Sequence, residues 1–136
     1  MRTLTNARIV TSQGWTAGWL RVDGPRIAEV GAGIAPYPAA ESVDLGGRLL
    51  VPGWVDIHVH GGGGASFDDG DPERALAAVD LHRRHGTTSL VAGLVTASPA
   101  ALLRQVAALA ELCEAGELAG IHLEGPYLAT QRCGAH

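Results

Sequence analysis

The sequence predicts an α/β protein in which a small β unit precedes a parallel sheet with helices. Turn residues divide residues 1–50 into short strands, whereas strands and helices alternate from residue 51 onward. Hydrophobic residues make up 46% of the chain and charged residues 18%, a balance that excludes a disordered protein. The length of 136 residues allows one core of ordinary size and hardly two.

Residues 1–50 are expected to form a small antiparallel β unit. Turns at Gly14, at Asp23-Gly24-Pro25 and at Gly46-Gly47 separate the apolar runs, and such spacing is typical of hairpins. The predicted strands are Thr3–Thr11, Trp15–Val22, Arg26–Val30 and Val43–Leu50. We therefore assign residues 1–50 to part of one domain.

Residues 51–136 read as β-α-β-α-β, the order of a parallel sheet. The predicted strands are 51–60, 87–96 and 119–124, and the predicted helices are 72–85 and 99–115. Asp71-Pro72 and Ser98-Pro99 each offer an N-cap oxygen before a proline at the first helical position. Gly86 and Gly116 end the helices.

The second helix carries one apolar stripe. Leu102, Val106, Leu109 and Cys113 recur at helical spacing, so Cys113 is interpreted as a packing residue. The strands, rich in β-branched residues, are expected to be covered on both faces. Three strands cannot close an eight-stranded barrel of ~250 residues, so we expect either an open sheet or, with preference, part of a longer chain.

A candidate metal site lies at the ends of the parallel strands. His58 and His60 share one face of the first strand, and the glycines 61–64 that follow leave room for a ligand. Glu124, ahead of Gly125-Pro126, ends the third strand at the same rim. Imidazoles with a carboxylate are ligands that zinc accepts. The alternatives are histidines satisfied by local hydrogen bonds and a Glu124 that pairs with Arg132.

Other polar residues are assigned supporting or no roles. Asp56 is either an acceptor that orients a histidine or a structural carboxylate. His122 is interpreted as a core or supporting histidine, and His82 and His85 as a solvated helix face and a partner of the helix dipole. Cys133 is either an oxidation-sensitive lid thiol or incidental.

Charge and hydropathy exclude several partners. The net charge is −4 and the basic residues form no stripe, so nucleic acid is not an expected partner. No apolar run approaches the ~20 residues that cross a bilayer, and residues 1–10 lack the apolar block of a secretory signal. The lack of a secretory signal predicts a cytoplasmic location. Cys113 and Cys133 have no CxxC spacing, so we expect reduced thiols.

Two motifs resemble a known family. Pro52–His60 with the glycine run is similar to the opening strand of the amidohydrolase superfamily. His122–Leu128, continuing to Gly134-Ala135-His136, resembles the N-acetylglucosamine-6-phosphate deacetylases within it. This resemblance implies a (β/α)8 TIM-type barrel preceded by a small antiparallel β-sandwich domain. Residues 51–136 would be its first three strands and two helices, and the whole chain about a third of a typical member.

The resemblance also implies an activity and a set of site residues. It makes Glu124 a metal ligand, matches His58 and His60 to the metal pair of some members, and places Ala135 and His136 against the sugar. One or two divalent ions would bind, zinc first, with iron or another divalent ion as alternatives. The reaction would remove acetate from N-acetylglucosamine 6-phosphate.

The chain by itself is expected to be inactive, because the resemblance places the catalytic aspartate beyond residue 136. A homodimer is implied for the full-length protein. Two alternatives stay open at this point: another amidohydrolase that acts on a cyclic amide, and a non-catalytic metal-binding fragment.

Overall fold

The computed structural model describes residues 1–135, with the side chain of residue 39 outside that description. The chain divides into two compact units, of which the first is Met1–Pro52 and the second begins at Gly53. Each unit has its own hydrophobic cluster, so the expectation of hardly more than one core is wrong. The first cluster is small, with three buried residues at its centre: Ala7, Ile9 and Leu20.

The first unit is one five-stranded sheet. Its strands are β1 (Arg2–Thr11), β2 (Gly14–Asp23), β3 (Arg26–Ala32), β4 (Ser42–Asp44) and β5 (Leu49–Leu50), with a 3-10 turn at Ala39–Glu41. The order is β3-β2-β1-β4, and β5 also pairs with β1. The β1–β2 and β2–β3 pairs are antiparallel, as predicted.

The predicted strand Val43–Leu50 is wrong in two respects. It is split into β4 and β5, because Gly46 and Gly47 take positive φ angles of 60° and 77° and turn the chain between them. Both short strands pair with β1 in parallel, so the sheet is mixed and not antiparallel throughout. The sandwich stays a prediction.

The second unit alternates strands and helices as predicted. Its elements are β6 (Trp54–Val59), β7 (Gly61–Gly62), β8 (Ala65–Ser66), a 3-10 turn (Phe67–Asp69), α1 (Pro72–Arg84), β9 (Thr87–Leu94), α2 (Pro99–Glu114), β10 (Gly120–Leu123) and a 3-10 turn (Thr130–Arg132). β6, β9 and β10 form a parallel sheet in the order β10-β9-β6, and β7 and β8 form a small hairpin. The architecture is thus mixed α/β.

Both helices begin at the caps that the sequence indicates. The Asp71 carboxylate accepts hydrogen bonds from the backbone N–H groups of Glu73 and Arg74, and the Ser98 hydroxyl accepts from that of Ala101. These side chains satisfy donors that the first helical turn leaves without partners. The predicted N-termini are therefore confirmed.

The core of the second unit lies between the helices and β9. Leu102 and Leu109 are buried, and Cys113 packs against the cluster as predicted. Burial raises the pKa of the Cys113 thiol, which favours the neutral form expected of a packing residue. Leu112, which the predicted stripe omitted, is buried as well.

Coverage of the strands differs between the centre and the edge of this sheet. In β9, the central strand, Leu90, Ala92 and Leu94 are buried. In β6, Val55 and Ile57 are 68% and 70% exposed, so the expected coverage on both faces is wrong for this strand. The reason is that β6 is an edge strand of the described sheet. Across residues 1–135, neither α-helix combines the length and apolarity that a bilayer-spanning helix requires.

Candidate metal centre

The three predicted ligands lie where two parallel strands end. His58 is in β6 and His60 follows its last residue, whereas Glu124 follows β10 directly. These two strands are not neighbours, because β9 lies between them. The side chains therefore meet across the end of the central strand.

The ligand atoms converge on one point. Glu124 Oε1 lies 3.0 Å from His60 Nε2 and 3.4 Å from His58 Nδ1, and the three candidate ligand atoms are all within 4.8 Å of one another. Ligands ~2.1 Å from a tetrahedral zinc ion are about 3.4 Å apart, which is the range of the two measured distances. The donor set therefore fits a divalent ion in both chemistry and spacing.

Burial differs among the three side chains. Glu124 is 16% exposed, His60 34% and His58 66%. The Nδ1 atom of His60 is buried and has no hydrogen-bond partner among the described residues. The other ring nitrogen, Nε2, lies 3.0 Å from Glu124 Oε1, so the described residues satisfy this imidazole at one nitrogen only.

Gly93 provides the space in which the ligands meet. A Cβ atom at this position of β9 would lie 3.0 Å from His60 Cε1, 3.2 Å from His60 Nδ1 and 3.1 Å from the carbonyl oxygen of Val59. These separations are shorter than ordinary van der Waals contacts. The absence of a side chain at residue 93 therefore leaves room for the His60 ring over the central strand.

Replacing Gly93 with Ala in the full-length protein is expected to weaken zinc binding about tenfold, because the added methyl group displaces the His60 ring. Competition with a chromophoric chelator measures this affinity. The matched control is Gly120→Ala in β10, where a Cβ meets nothing within 4 Å. Equal zinc affinities in the two variants would contradict the role given to Gly93.

A local irregularity lies just before the histidines. The pairing of β6 with β9 shifts register between Asp56 and Val59, and Asp56 Oδ1 accepts a hydrogen bond of 3.1 Å from the backbone N–H of His58. Such bulges re-aim side chains near functional sites. This hydrogen bond joins the Asp56 carboxylate to a backbone N–H group and not to an imidazole ring. Of the two interpretations of Asp56, it therefore fits the structural carboxylate.

The glycine run is held against helix α1. His82 is half-buried, and its Nε2 lies 3.0 Å from the carbonyl oxygen of Gly61. A Cβ on Gly62 would lie 2.9 Å from Leu81 Cδ2 and 3.0 Å from His82 Nε2. The assignment of His82 to a solvated face is therefore wrong. His85 is exposed at the helix C-terminus, as predicted, with Nδ1 2.8 Å from the Leu81 carbonyl oxygen.

Hydrogen bonds hold the backbone at His60 and at Glu124, the two less exposed candidate ligands, which we call the inner ligands. The N–H of Phe67 and the hydroxyl of Ser66 contact the carbonyl oxygen of His60, at 3.0 and 3.2 Å. The hydroxyl of Thr96 donates to the carbonyl oxygen of Glu124 at 3.0 Å. Sequence reasoning missed these supporting residues, although the Ser66–Asp69 capping box is a recognisable signal for the first of them.

The remaining candidates lie outside this cluster. Ala135 is exposed in a turn, and its assignment to the sugar site stays a prediction. His136 lies outside the described residues. The expectation that His122 is a core histidine is wrong, since it is exposed, with its ring 6.5 Å from that of His58. Cys133 is half-buried, and its thiol donates a 3.5 Å hydrogen bond to the carbonyl oxygen of Thr130.

Sequence comparison finds curated relatives that are named as deacetylases of amino-sugar phosphates. No family model matches the chain. The chain is 34% identical over 135 residues to an N-acetylgalactosamine-6-phosphate deacetylase of Escherichia coli O157:H7, an alignment that covers 95% of this chain and 34% of that protein. It is 34% identical over 104 residues to the N-acetylglucosamine-6-phosphate deacetylase of Mus musculus, covering 72% and 25%.

Solved structures with a similar fold include deacetylases that act on the same kind of sugar phosphate by name. The N-acetyl-D-glucosamine-6-phosphate deacetylase of Mycobacterium smegmatis is 46% identical with a TM-score of 0.88, covering 100% of this chain and 36% of that one. Its D267A mutant, in complex with N-acetyl-D-glucosamine-6-phosphate, is 48% identical with the same TM-score, covering 99% and 35%. A D-hydantoinase of Bacillus sp. AR9 is 26% identical with a TM-score of 0.56, covering 96% and 28%.

Deacetylases and hydantoinases are both amidohydrolases, and this chain shares their fold over its length and holds a His/Glu cluster that could bind a metal ion. Within that class, the chain is homologous to the N-acetylglucosamine-6-phosphate deacetylases and corresponds to an N-terminal portion of such an enzyme. It spans about a third or less of the length of the curated relatives it matches.

Proposed function

We propose that the full-length protein is a metal-dependent hydrolase that removes acetate from N-acetylglucosamine 6-phosphate. The observation that supports this best is the convergence of His58, His60 and Glu124 within 4.8 Å at the ends of β6 and β10. The 48% identical relative whose structure holds this sugar phosphate supports the choice of substrate.

In this proposal His58, His60 and Glu124 hold one or two divalent ions, with zinc the first candidate and iron or another divalent ion the alternatives. When bound, such an ion lowers the pKa of water to about 7 and polarises a carbonyl group, which is the chemistry that amide hydrolysis needs. The half-buried Glu124 supplies the negative charge that balances the ion. Gly93 leaves room for the His60 ring, and hydrogen bonds to the His60 carbonyl oxygen hold its backbone.

Several groups that the proposed enzyme needs would lie outside residues 1–136. A catalytic aspartate and the remaining ligands would lie beyond this chain, so residues 1–136 alone would not turn over substrate. Ala135 and His136 would contact the sugar. The second unit would be the first three strands and two helices of a (β/α)8 barrel, and residues 1–50 part of a β-sandwich domain. The homodimer and the cytoplasmic location stay predictions.

One observation favours a second substrate. The Escherichia coli O157:H7 relative that matches 95% of this chain is named for N-acetylgalactosamine 6-phosphate, the epimer at carbon 4. The proposed hydrolysis would break the amide bond of the N-acetyl group, which both sugars share.

An acetate-release assay on the full-length protein tests this proposal. Both sugar phosphates are expected to release acetate at some rate, with N-acetylglucosamine 6-phosphate the faster. A chelator should abolish release, and added zinc should restore it. Release that persists after the chelator would contradict metal dependence. Turnover of a cyclic amide but of neither sugar would favour the other amidohydrolase reading, and zinc binding without any turnover would favour a non-catalytic metal-binding protein.

A further inference from the structure

Asp68 is not one of the three candidate metal ligands, but it contacts Ser66, which lies beside the backbone of His60, and Val95, which precedes the residue that binds the backbone of Glu124. We propose that Asp68 is a positioning residue that sets the spacing of His60 and Glu124 by joining the end of β6 to the end of β9. This inference rests on the proposed function, because it concerns the same metal site.

On one side, Asp68 is linked to His60. The backbone N–H of Asp68 donates to the Ser66 hydroxyl at 3.2 Å, and that hydroxyl lies 3.1 Å from Asp68 Oδ2 and 3.2 Å from the carbonyl oxygen of His60. A hydroxyl has a single proton, so it donates to one of these oxygens at a time. The neighbouring N–H of Phe67 donates to the same His60 oxygen at 3.0 Å, which holds this turn beneath the ligand in either case.

On the other side, Asp68 is linked to Glu124. Its Oδ1 accepts a 2.9 Å hydrogen bond from the backbone N–H of Val95, which follows β9 directly. The next residue, Thr96, donates from its hydroxyl to the carbonyl oxygen of Glu124 at 3.0 Å. The Thr96 side chain lies directly against Gly125, where a Cβ atom would come within 2.3 Å of its Oγ1. One carboxylate thus connects the supports of both inner ligands.

The side chain chemistry fits this role. The half-buried Asp68 side chain accepts a hydrogen bond from Val95 at Oδ1, and its Oδ2 can accept a second one whenever the Ser66 hydroxyl turns toward it. Gln105 of α2 fixes the backbone of the same residue, with Nε2 2.7 Å from the Asp68 carbonyl oxygen. Asp68 is therefore held by hydrogen bonds with Ser66 of its own turn, with Gln105 of α2 and with Val95 after the end of β9.

Asp69 offers a matched control because its described hydrogen bonds involve Ser66 of the same turn and Arg74 of α1, and none of them reaches Val95. Its Oδ2 accepts from the backbone N–H of Ser66 at 3.1 Å and from Arg74 Nε at 2.7 Å. The hydrogen bond from Arg74 holds the pKa of Asp69 below its usual range, so Asp69 is ionised at neutral pH. Asp69→Asn thus removes the same charge one residue away and leaves the link to Val95 intact.

The test compares Asp68→Ala, Asp68→Asn and Asp69→Asn in the full-length protein. Zinc affinity is measured by chelator competition, the geometry of the site by the visible spectrum of the Co²⁺-substituted protein, and stability by thermal unfolding of the metal-free protein. We expect Asp68→Ala to weaken zinc binding about tenfold and to change the Co²⁺ spectrum. Asp68→Asn should be intermediate, because its amide oxygen still accepts from Val95. Asp69→Asn should resemble the wild type, because its amide oxygen still accepts from the backbone N–H of Ser66 and the link to Val95 is untouched.

Several outcomes would overturn the inference alone. They are an unchanged zinc affinity and Co²⁺ spectrum in both Asp68 variants, and an Asp69→Asn variant as impaired as Asp68→Asn at equal stability. Should Asp68→Ala fail to fold, the comparison of the two asparagine variants decides. A wild-type protein that binds no zinc would overturn the proposed function and this inference together.

Discussion

Replacing Glu124 with Gln in the full-length protein is expected to remove bound metal and activity together. Glu124 is the carboxylate on which both imidazoles converge, and Gln keeps its shape while it removes the negative charge. A divalent ion contributes several kcal/mol to stabilisation of the transition state, and about 1.4 kcal/mol corresponds to a factor of ten in rate. The expected loss of acetate release is therefore at least about 100-fold.

Two measurements on dialysed protein check this prediction: zinc content by elemental analysis and acetate release at saturating substrate. The matched control is Glu114→Gln on the exposed side of α2, which should leave both quantities at their wild-type values. Retained metal with normal turnover in Glu124→Gln would remove Glu124 from the ligands. Lost metal with normal turnover would instead refute the metal-dependent mechanism.

Replacing His58 and His60 together with Asn is expected to lower the zinc content by about one ion per subunit, because two of the three converging donors are lost. The single variants should differ. His60 is the more buried residue and lies nearer to Glu124, at 3.0 Å against 3.4 Å for His58. We therefore expect His60→Asn to weaken zinc binding more than His58→Asn.

The natural control for the histidine variants is His85→Asn. His85 is exposed at the end of α1, where its ring contacts the carbonyl oxygen of Leu81. This variant should keep its full zinc content. An unchanged zinc stoichiometry in the double variant would mean that the site holds one ion on other ligands and that His58 and His60 have a different use.

Much of the second unit was predictable because its signals are local. Asp71-Pro72 and Ser98-Pro99 mark the helix starts through bonds that span two or three residues. The apolar stripe from Leu102 to Cys113 follows from helix periodicity alone. Candidate ligands were also predictable, since a histidine pair or a glutamate at a strand end is visible in the order of residues.

The errors arose where contacts join residues far apart in the chain. β4 and β5 pair in parallel with β1, a choice that turn residues do not encode. His82 was misassigned because its partner, the Gly61 carbonyl oxygen, belongs to another element. His122 was interpreted as a core or supporting histidine from its position in the strand, yet it is exposed.

The sequence by itself therefore determined which segments become helices and strands in the second unit and which side chains are offered at the strand ends. Only the tertiary structure decided that β9 lies between the two ligand-bearing strands, that Gly93 leaves room for the His60 ring, and that Asp68 joins the supports of both sides. The physical reason is that propensity, capping and periodicity act within a few residues, whereas sheet order and close packing depend on groups brought together only when the chain folds.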